Sequence, residues 1–400
     1  MTNSLSLSRR RLLSAIGVGA ATLPSLSLPG FVQAAGQPPG SGGILVLIEL
    51  AGGNDGLNTV VPVTDPAYRA LRPEIGLARV ETLRLDADTG LHPEMRAMAD
   101  LWERGELSIV EGVGYPNPNR SHFRSIEIWN AGQGAASLDR QGWISTAFDD
   151  GRRTASGDAD GVVLGGDMGP LSGAGRFTAM RDEEMFLETL EHLPGGGHAV
   201  RPADSRSPLD HVLATYESAG VTGDRIRTKL ERSRRPRWTF PESDIAQQLR
   251  SVARLLDAGV EVPVLKVVQD GYDTHQGQPG QHSWLLGDLS AAIGAFASVM
   301  QAAGLWDRIT VVTYSEFGRT ARENASGGTD HGTAAPVFVA GGAVRGGFAG
   351  ARPDLGRLVE DDLVHTTDYR QLYSAILSDL WDLTPPAELV GPGPALRLLG

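Results

Sequence analysis

The chain has 400 residues, 48 acidic against 36 basic side chains for a net charge of −12, 41% hydrophobic residues, 51 glycines and no cysteine. That describes a globular chain long enough to bury a large core, and excludes a disordered polymer, a collagen and a disulfide-stapled miniprotein. The acidic surplus does not suit nucleic acid or anionic lipid, and with Lys229 and Lys266 as the only lysines a phosphate-loop lysine or a Schiff base has little support.

Residues 1–35 hold Arg9, Arg10 and Arg11 but no acid, followed by a weakly apolar stretch broken by Pro24 and Pro29, and then Val32-Gln33-Ala34-Ala35. A basic start, a short apolar middle and a small-residue end predict an export signal. Twin arginines specify the Tat translocase as its carrier. Cleavage is expected after Ala34 or Ala35, residues 36–43 read as a Pro/Gly/Ser linker, and the body runs from 44 to 400. No later stretch offers about 20 uninterrupted apolar residues, so no stable transmembrane segment is expected in the mature form.

From Ile44 to Ala51 the chain is almost continuously apolar, the pattern of a strand buried on both faces. Similar runs follow at Leu107–Val113, Val262–Val268, Ile309–Tyr314 and Pro336–Ala340. Helical periodicity lies between and after them, at His92–Arg104, Ser121–Asn130, Ser243–Gly259, Gln281–Ala303 and Asp368–Leu380. The alternation predicts a three-layer α/β/α sandwich on a mostly parallel sheet, with a ligand crevice beyond the carboxyl ends of its strands. Residues 150–240 break the rhythm with Gly165-Gly166, Gly195-Gly196-Gly197 and the cluster Arg232, Arg234, Arg235 and Arg237, and read as an insertion or cap. The arginines are those of a solvated helix end more often than of an anion site.

Polar clusters fall at the predicted strand ends. After the first strand comes Gly52-Gly53-Asn54-Asp55-Gly56, where Asp55 is either a cation ligand or a turn former. The second strand leads to Asn119-Arg120-Ser121-His122 at a helix start: Ser121 is a candidate nucleophile, with Arg120 or His122 on the leaving oxygen, or an ordinary N-cap. Asp270-Gly271-Tyr272-Asp273-Thr274-His275, with His282 beyond, offers mixed oxygen and nitrogen donors for zinc, manganese or iron, or a loop hydrogen bond. Glu316 stands at the mouth of a buried strand and needs a metal or a cationic partner, for which Arg319 is close in sequence. His331, beside Asp330 and flanked by glycines, could ligate while a carboxylate orients its second nitrogen. Together these groups suggest one metal-assisted site, with Arg319 as a further catalytic candidate. The first strand is not followed by G-x-G-x-x-G, which argues against a nicotinamide oxidoreductase.

The segments LIELAGGNDGLNTVVP, EGVGYPNPNRSHFRS, DTHQGQ, SEFGRT, ENASGGTDHG and TTDYRQLY resemble the exported bacterial proteins of domain-of-unknown-function family 1501 over nearly all of residues 44–382. That family is grouped with alkaline phosphatases, sulfatases and metal-dependent phosphoglycerate mutases. The resemblance implies an alkaline phosphatase-like fold, a metal aspartate at Asp55, a nucleophile at Ser121, and a metal held by Asp273, by His275 or His282, and by His331, with zinc first and manganese, iron or calcium as alternatives. One departure is Glu316-Phe317 where the group usually carries Asp-His: either one metal binds, or His122 or Asp330 replaces the missing donor. The sulfatase nucleophile signature is absent too. The expected function is hydrolysis of phosphate or sulfate esters, in a small molecule or a surface glycan or polymer, outside the inner membrane. The rival is a non-catalytic binding or assembly protein that keeps the fold.

Overall fold

A computed structural model describes residues 42–149, 157–181 and 222–400. The export signal, most of the linker and Gly195–Gly197 lie outside the described residues. Among the described residues, nine strands form one mixed, mostly parallel sheet. In chain order they are β1 (Ile44–Ala51), β2 (Leu107–Gly114), β3 (Gly161–Leu164), β4 (Phe177–Met180), β5 (Val264–Asp270), β6 (Ile309–Tyr314), β7 (Ala335–Ala340), β8 (Gly347–Gly350) and β9 (Thr367–Asp368). Across the sheet the order is β8-β2-β7-β6-β1-β5-β3-β4, with β9 also paired to β2.

β1 sits between β6 and β5, parallel to both, with Leu47 opposite Val312 on one side and Lys266 on the other. Its side chains alternate between the two faces. Val46, Ile48 and Leu50 enter one core, while Leu45 and Leu47 enter the other. The first face is covered by α1 (Arg96–Glu103), α4 (Asp244–Asp257) and α5 (Gln278–Ala302), and the second by α2 (His122–Ala131), α3 (Trp143–Asp149) and α6 (Tyr369–Ala375). Each fully buried aliphatic side chain contributes about 1.5–3 kcal/mol of transfer free energy, and β1 supplies five. α5 is long and apolar enough to cross a membrane by length and composition. Here it is a core helix, with Leu285, Leu289, Ile293, Phe296 and Met300 buried in the first core.

The sheet is the expected mostly parallel one, with two features the sequence did not single out. Within the region read as a cap, residues 161–164 and 177–180 are strands of the main sheet, parallel to each other and, through β3, to β5. Each has only four residues and lies near glycines, too short a run to stand out by periodicity. β7 runs antiparallel to both β2 and β6. Its amino end therefore lies with the carboxyl ends of its neighbours, and the loop before it joins theirs. The cluster of Arg232, Arg234, Arg235 and Arg237 is exposed at the end of the helical stretch 222–232, with Trp238 and Phe240 packed against the core.

Candidate metal centre

The carboxyl ends of β1, β2, β5 and β6 and the amino end of β7 meet at this edge. β1 runs out at Gly52 and Gly53, whose φ values of 116° and 83° are left-handed. A Cβ on Gly52 would strike the backbone nitrogen of Asp273, and one on Gly53 would lie 2.5 Å from the Phe317 ring. The chain there has room only for glycine because the β5 and β6 loops close directly on it. Tyr272 N donates to Ala51 O at 3.1 Å, continuing the β1–β5 ladder into the loop that carries Asp273. After β6 the chain doubles back so that Arg319 and His331 face each other as an isolated antiparallel pair, with Gly318 N donating to Thr333 O and Gly332 N to Gly318 O.

Asp273, His331, His275 and His122 converge in the crevice. Asp273 Oδ1 lies 3.2 Å from His331 Nε2 and 3.1 Å from His275 Nε2, and Oδ2 lies 3.6 Å from His122 Nε2. Ligand atoms of His122, Asp273 and His331 all fall within 4.8 Å of one another. Each imidazole is pinned at its other nitrogen by an acceptor. His122 Nδ1 meets Glu316 Oε1 at 2.7 Å, His275 Nδ1 meets Asp330 Oδ1 at 3.0 Å, and His331 Nδ1 meets Arg120 O at 2.8 Å. Carboxylate and carbonyl oxygens accept, so all three rings donate from Nδ1 and turn an Nε2 lone pair inward.

This arrangement tests whether the residues suit a cation. His275 Nε2 and His331 Nε2 are 2.9 Å apart. With both Nδ1 atoms donating elsewhere, two neutral rings would oppose lone pairs at that distance beside a carboxylate. A shared cation relieves the repulsion, and an imidazole held from behind by a carboxylate or carbonyl is the usual setting of a metal-bound histidine. Burial, together with Arg319 and His122, outweighs the hydrogen bonds that favour the cationic form and holds the His331 pKa below its ordinary value. Burial would raise the pKa of Asp273, but the Arg319 guanidinium and His331 lower it overall. One carboxylate with imidazoles turned toward it is a donor set that fits zinc among the divalent ions.

Other expected site residues take different places. Glu316 is buried behind His122, where it also accepts from Gly52 N at 2.9 Å and from Ser315 Oγ at 3.1 Å. Asp330 stands behind His275. Each carboxylate meets the Nδ1 of an imidazole, and neither is in the group of converging donors His122, Asp273 and His331. Arg319 pairs not with Glu316 but with Asp273, at 2.7 Å, and it also donates to the carbonyls of Gly52, Gly53, Tyr272 and Thr329. It is 2% exposed and ties three strand-end loops together, with Nε on Gly53 O, Nη1 on Thr329 O and the two Nη2 hydrogens shared among Gly52 O, Tyr272 O and Asp273. Arg120 turns its guanidinium to Asp362 and Glu360. Ser121 is the N-cap residue just before α2, is exposed, and makes no side-chain cap hydrogen bond. Phe317 fills the place beside Glu316, its ring centroid 4.9 Å from that of His122 and 4.8 Å from that of His331.

Asp55 and His282 are drawn away from the cluster. Asp55, 1% exposed, gives both oxygens to Arg72 and one also to Gln278. Burial would raise its pKa, but the guanidinium holds it down, and its two oxygens together accept three hydrogen bonds from Arg72 and Gln278. His282 bonds Asn54 Oδ1 at 2.9 Å and lies edge-on to the buried His92, their ring centroids 5.9 Å apart. Arg72 and Gln278 were not legible as partners, because nothing in the local pattern of either marks a buried polar contact.

Burial lowers both His92 and His282 to a pKa of about 4. In the unfolded chain they titrate near the ordinary value of 6.5. Between these values the unfolded chain binds the extra protons, so stability is complete above pH 6.5 and falls toward pH 4, by about 1.4 kcal/mol per pH unit for each imidazole. Replacing His282 by Gln is expected to flatten that decline in urea unfolding measured from pH 7 to pH 4.5. An unchanged slope refutes the assignment.

Residues 189–384 match the family described as Protein of unknown function (DUF1501), so the resemblance read from the motifs is met over that span. Among solved structures the chain is similar to a putative sulfatase from Bacteroides thetaiotaomicron VPI-5482, at 11% identity and a TM-score of 0.40 over 89% of this chain and 74% of that one. It is also similar to a protein in the alkaline phosphatase superfamily from Vibrio parahaemolyticus, at 8% identity and a TM-score of 0.37 over 85% of this chain and 66% of that one. A third is the C-terminal periplasmic domain of EcEptC from Escherichia coli in complex with zinc, at 7% identity and a TM-score of 0.37 over 75% and 73% of the two chains. No curated protein matches the sequence.

Proposed function

We propose that this chain is an exported, metal-dependent hydrolase of phosphate or sulfate esters, its ion held by Asp273, His331 and His122 with His275 adjoining. The observation that carries the reading is the set of imidazoles pinned at Nδ1 by Glu316, Asp330 and the Arg120 carbonyl, with their Nε2 atoms turned toward one carboxylate. An ion in that place would polarise the ester and compensate the charge that builds on its oxygens. Ser121 supplies the attacking oxygen: its hydroxyl is not spent on capping, and the free N–H groups of the first turn of α2 favour an anion beside it. Glu316 and Asp330 keep the rings oriented, and Phe317 keeps water from one side of them. The substrate is a small ester or a surface glycan or polymer. Export rests on the twin-arginine segment ahead of residue 36.

Chelation followed by zinc, manganese or iron is expected to abolish and restore turnover of an aryl phosphate and aryl sulfate panel. Ser121→Ala is expected to keep the metal while losing turnover by a factor on the order of 10³ or more. Tight metal binding with no turnover of any ester refutes the hydrolase and leaves a binding protein built on the same fold.

A further inference from the structure

Beside the cluster, Leu358–Val359 and Asp362–Leu363 pair as a two-stranded hairpin whose turn is Glu360 and Asp361. A two-residue connection of this kind needs positive φ at both positions and normally uses Asn-Gly. Here φ is 53° at Glu360 and 63° at Asp361, and neither is glycine. Such strain persists only where the surroundings hold it. Asp361 O accepts from Ala321 N at 2.8 Å and Leu363 O accepts from Thr333 Oγ1, so the hairpin grips both arms of the loop that carries His331. Asp362, 3% exposed, lies 2.5 Å from Arg120 Nη2 through its Oδ2. The carbonyl of that same arginine accepts from His331 Nδ1.

We infer that the 358–363 hairpin is a splint for the metal centre, and that Asp362 is a positioning residue that fixes His331 through Arg120. Asp362 touches none of the converging donors, but it anchors the residue whose carbonyl sets the His331 ring, while the neighbouring hairpin carbonyls fix the ends of the His331 loop. The tip strain follows from that duty: three anchors on two loops dictate the turn, and the turn residues conform. The inference rests on the metal-centre reading and adds a residue to it.

The experiment is a double-mutant cycle on the full chain, reading zinc affinity by competition with a chromophoric chelator and the ¹⁵N shifts of the His331 ring. Asp362→Ala and Arg120→Ala are each expected to weaken zinc binding by about 10- to 100-fold, the usual effect of losing a group that orients a ligand, and the double variant by no more than the larger single loss. Glu360→Gln, which removes only an exposed partner of Arg120, should stay within about twofold. Should Asp362→Ala misfold, Asp362→Asn keeps the shape and is expected to show a smaller loss of the same sign with a shifted His331 resonance. Strictly additive losses, or wild-type affinity and an unmoved resonance in a folded Asp362 variant, overturn the splint alone. A wild-type chain that takes no zinc overturns the splint and the metal centre together.

Discussion

Replacing Asp273 with alanine is expected to empty the centre while leaving the molecule folded. Its carboxylate is the group toward which three imidazoles turn, and loss of groups that merely orient a ligand already costs 10- to 100-fold in affinity, so loss of Asp273 should cost at least about 100-fold. The fold should survive because Arg319, the cation left behind, still donates to the carbonyls of Gly52, Gly53, Tyr272 and Thr329. Elemental analysis of the purified protein with circular dichroism makes the comparison. Full metal content in a folded Asp273→Ala protein would falsify the centre described above.

The opposite pattern is expected for Arg72→Ala. Arg72 is fully buried and donates to Asp55, to Asn58 Oδ1 at 2.9 Å, and to the carbonyls of Thr320 and Ala321, so its removal strands the Asp55 carboxylate with Gln278. Breaking a buried pair from one side costs about 3–5 kcal/mol, and that loss should appear in denaturant unfolding at pH 7. The acid limb supplies a second check. The pKa of Asp55 is held below its ordinary 3.8, so the pair stabilises fully above that value and the contribution disappears as pH falls through the lowered one. The variant lacks this contribution, and its stability should fall less steeply below pH 4 than that of the parent. A loss under about 1 kcal/mol at pH 7 would mean that the pair contributes little net stability.

The strands were the most legible part of the chain. Ile44–Ala51 and Ile309–Tyr314 have the bounds expected from their apolar runs, because a strand buried on both faces admits almost nothing else. β3 and β4 were missed because four-residue strands near glycines carry too little pattern. At the site, Asp273, His275, His331 and His122 could be nominated from their positions at strand ends, since topology alone brings those ends together. Their division of labour could not. Whether Glu316 faces a metal or an imidazole, and whether Asp55 faces the crevice or Arg72, is decided by side-chain packing between residues 17 to 194 positions apart. Asp362 was visible as part of the acidic triplet 360–362, yet an acidic triplet in a turn is ordinarily a solvated one.

The reversed direction of β7 has a consequence for how the centre comes into being. A parallel β7 would put His331 at the far rim, about 20 Å away by the length of a six-residue strand, with the same core side chains available to bury. The polarity of this one strand therefore separates a molecule whose donors converge from a merely compact one. β7 also lies between β2 and β6, both earlier in the chain, so the donor set is complete only once β7 is seated between them. On the proposed metal reading, ion capture would report on topology and is expected to lag collapse in refolding.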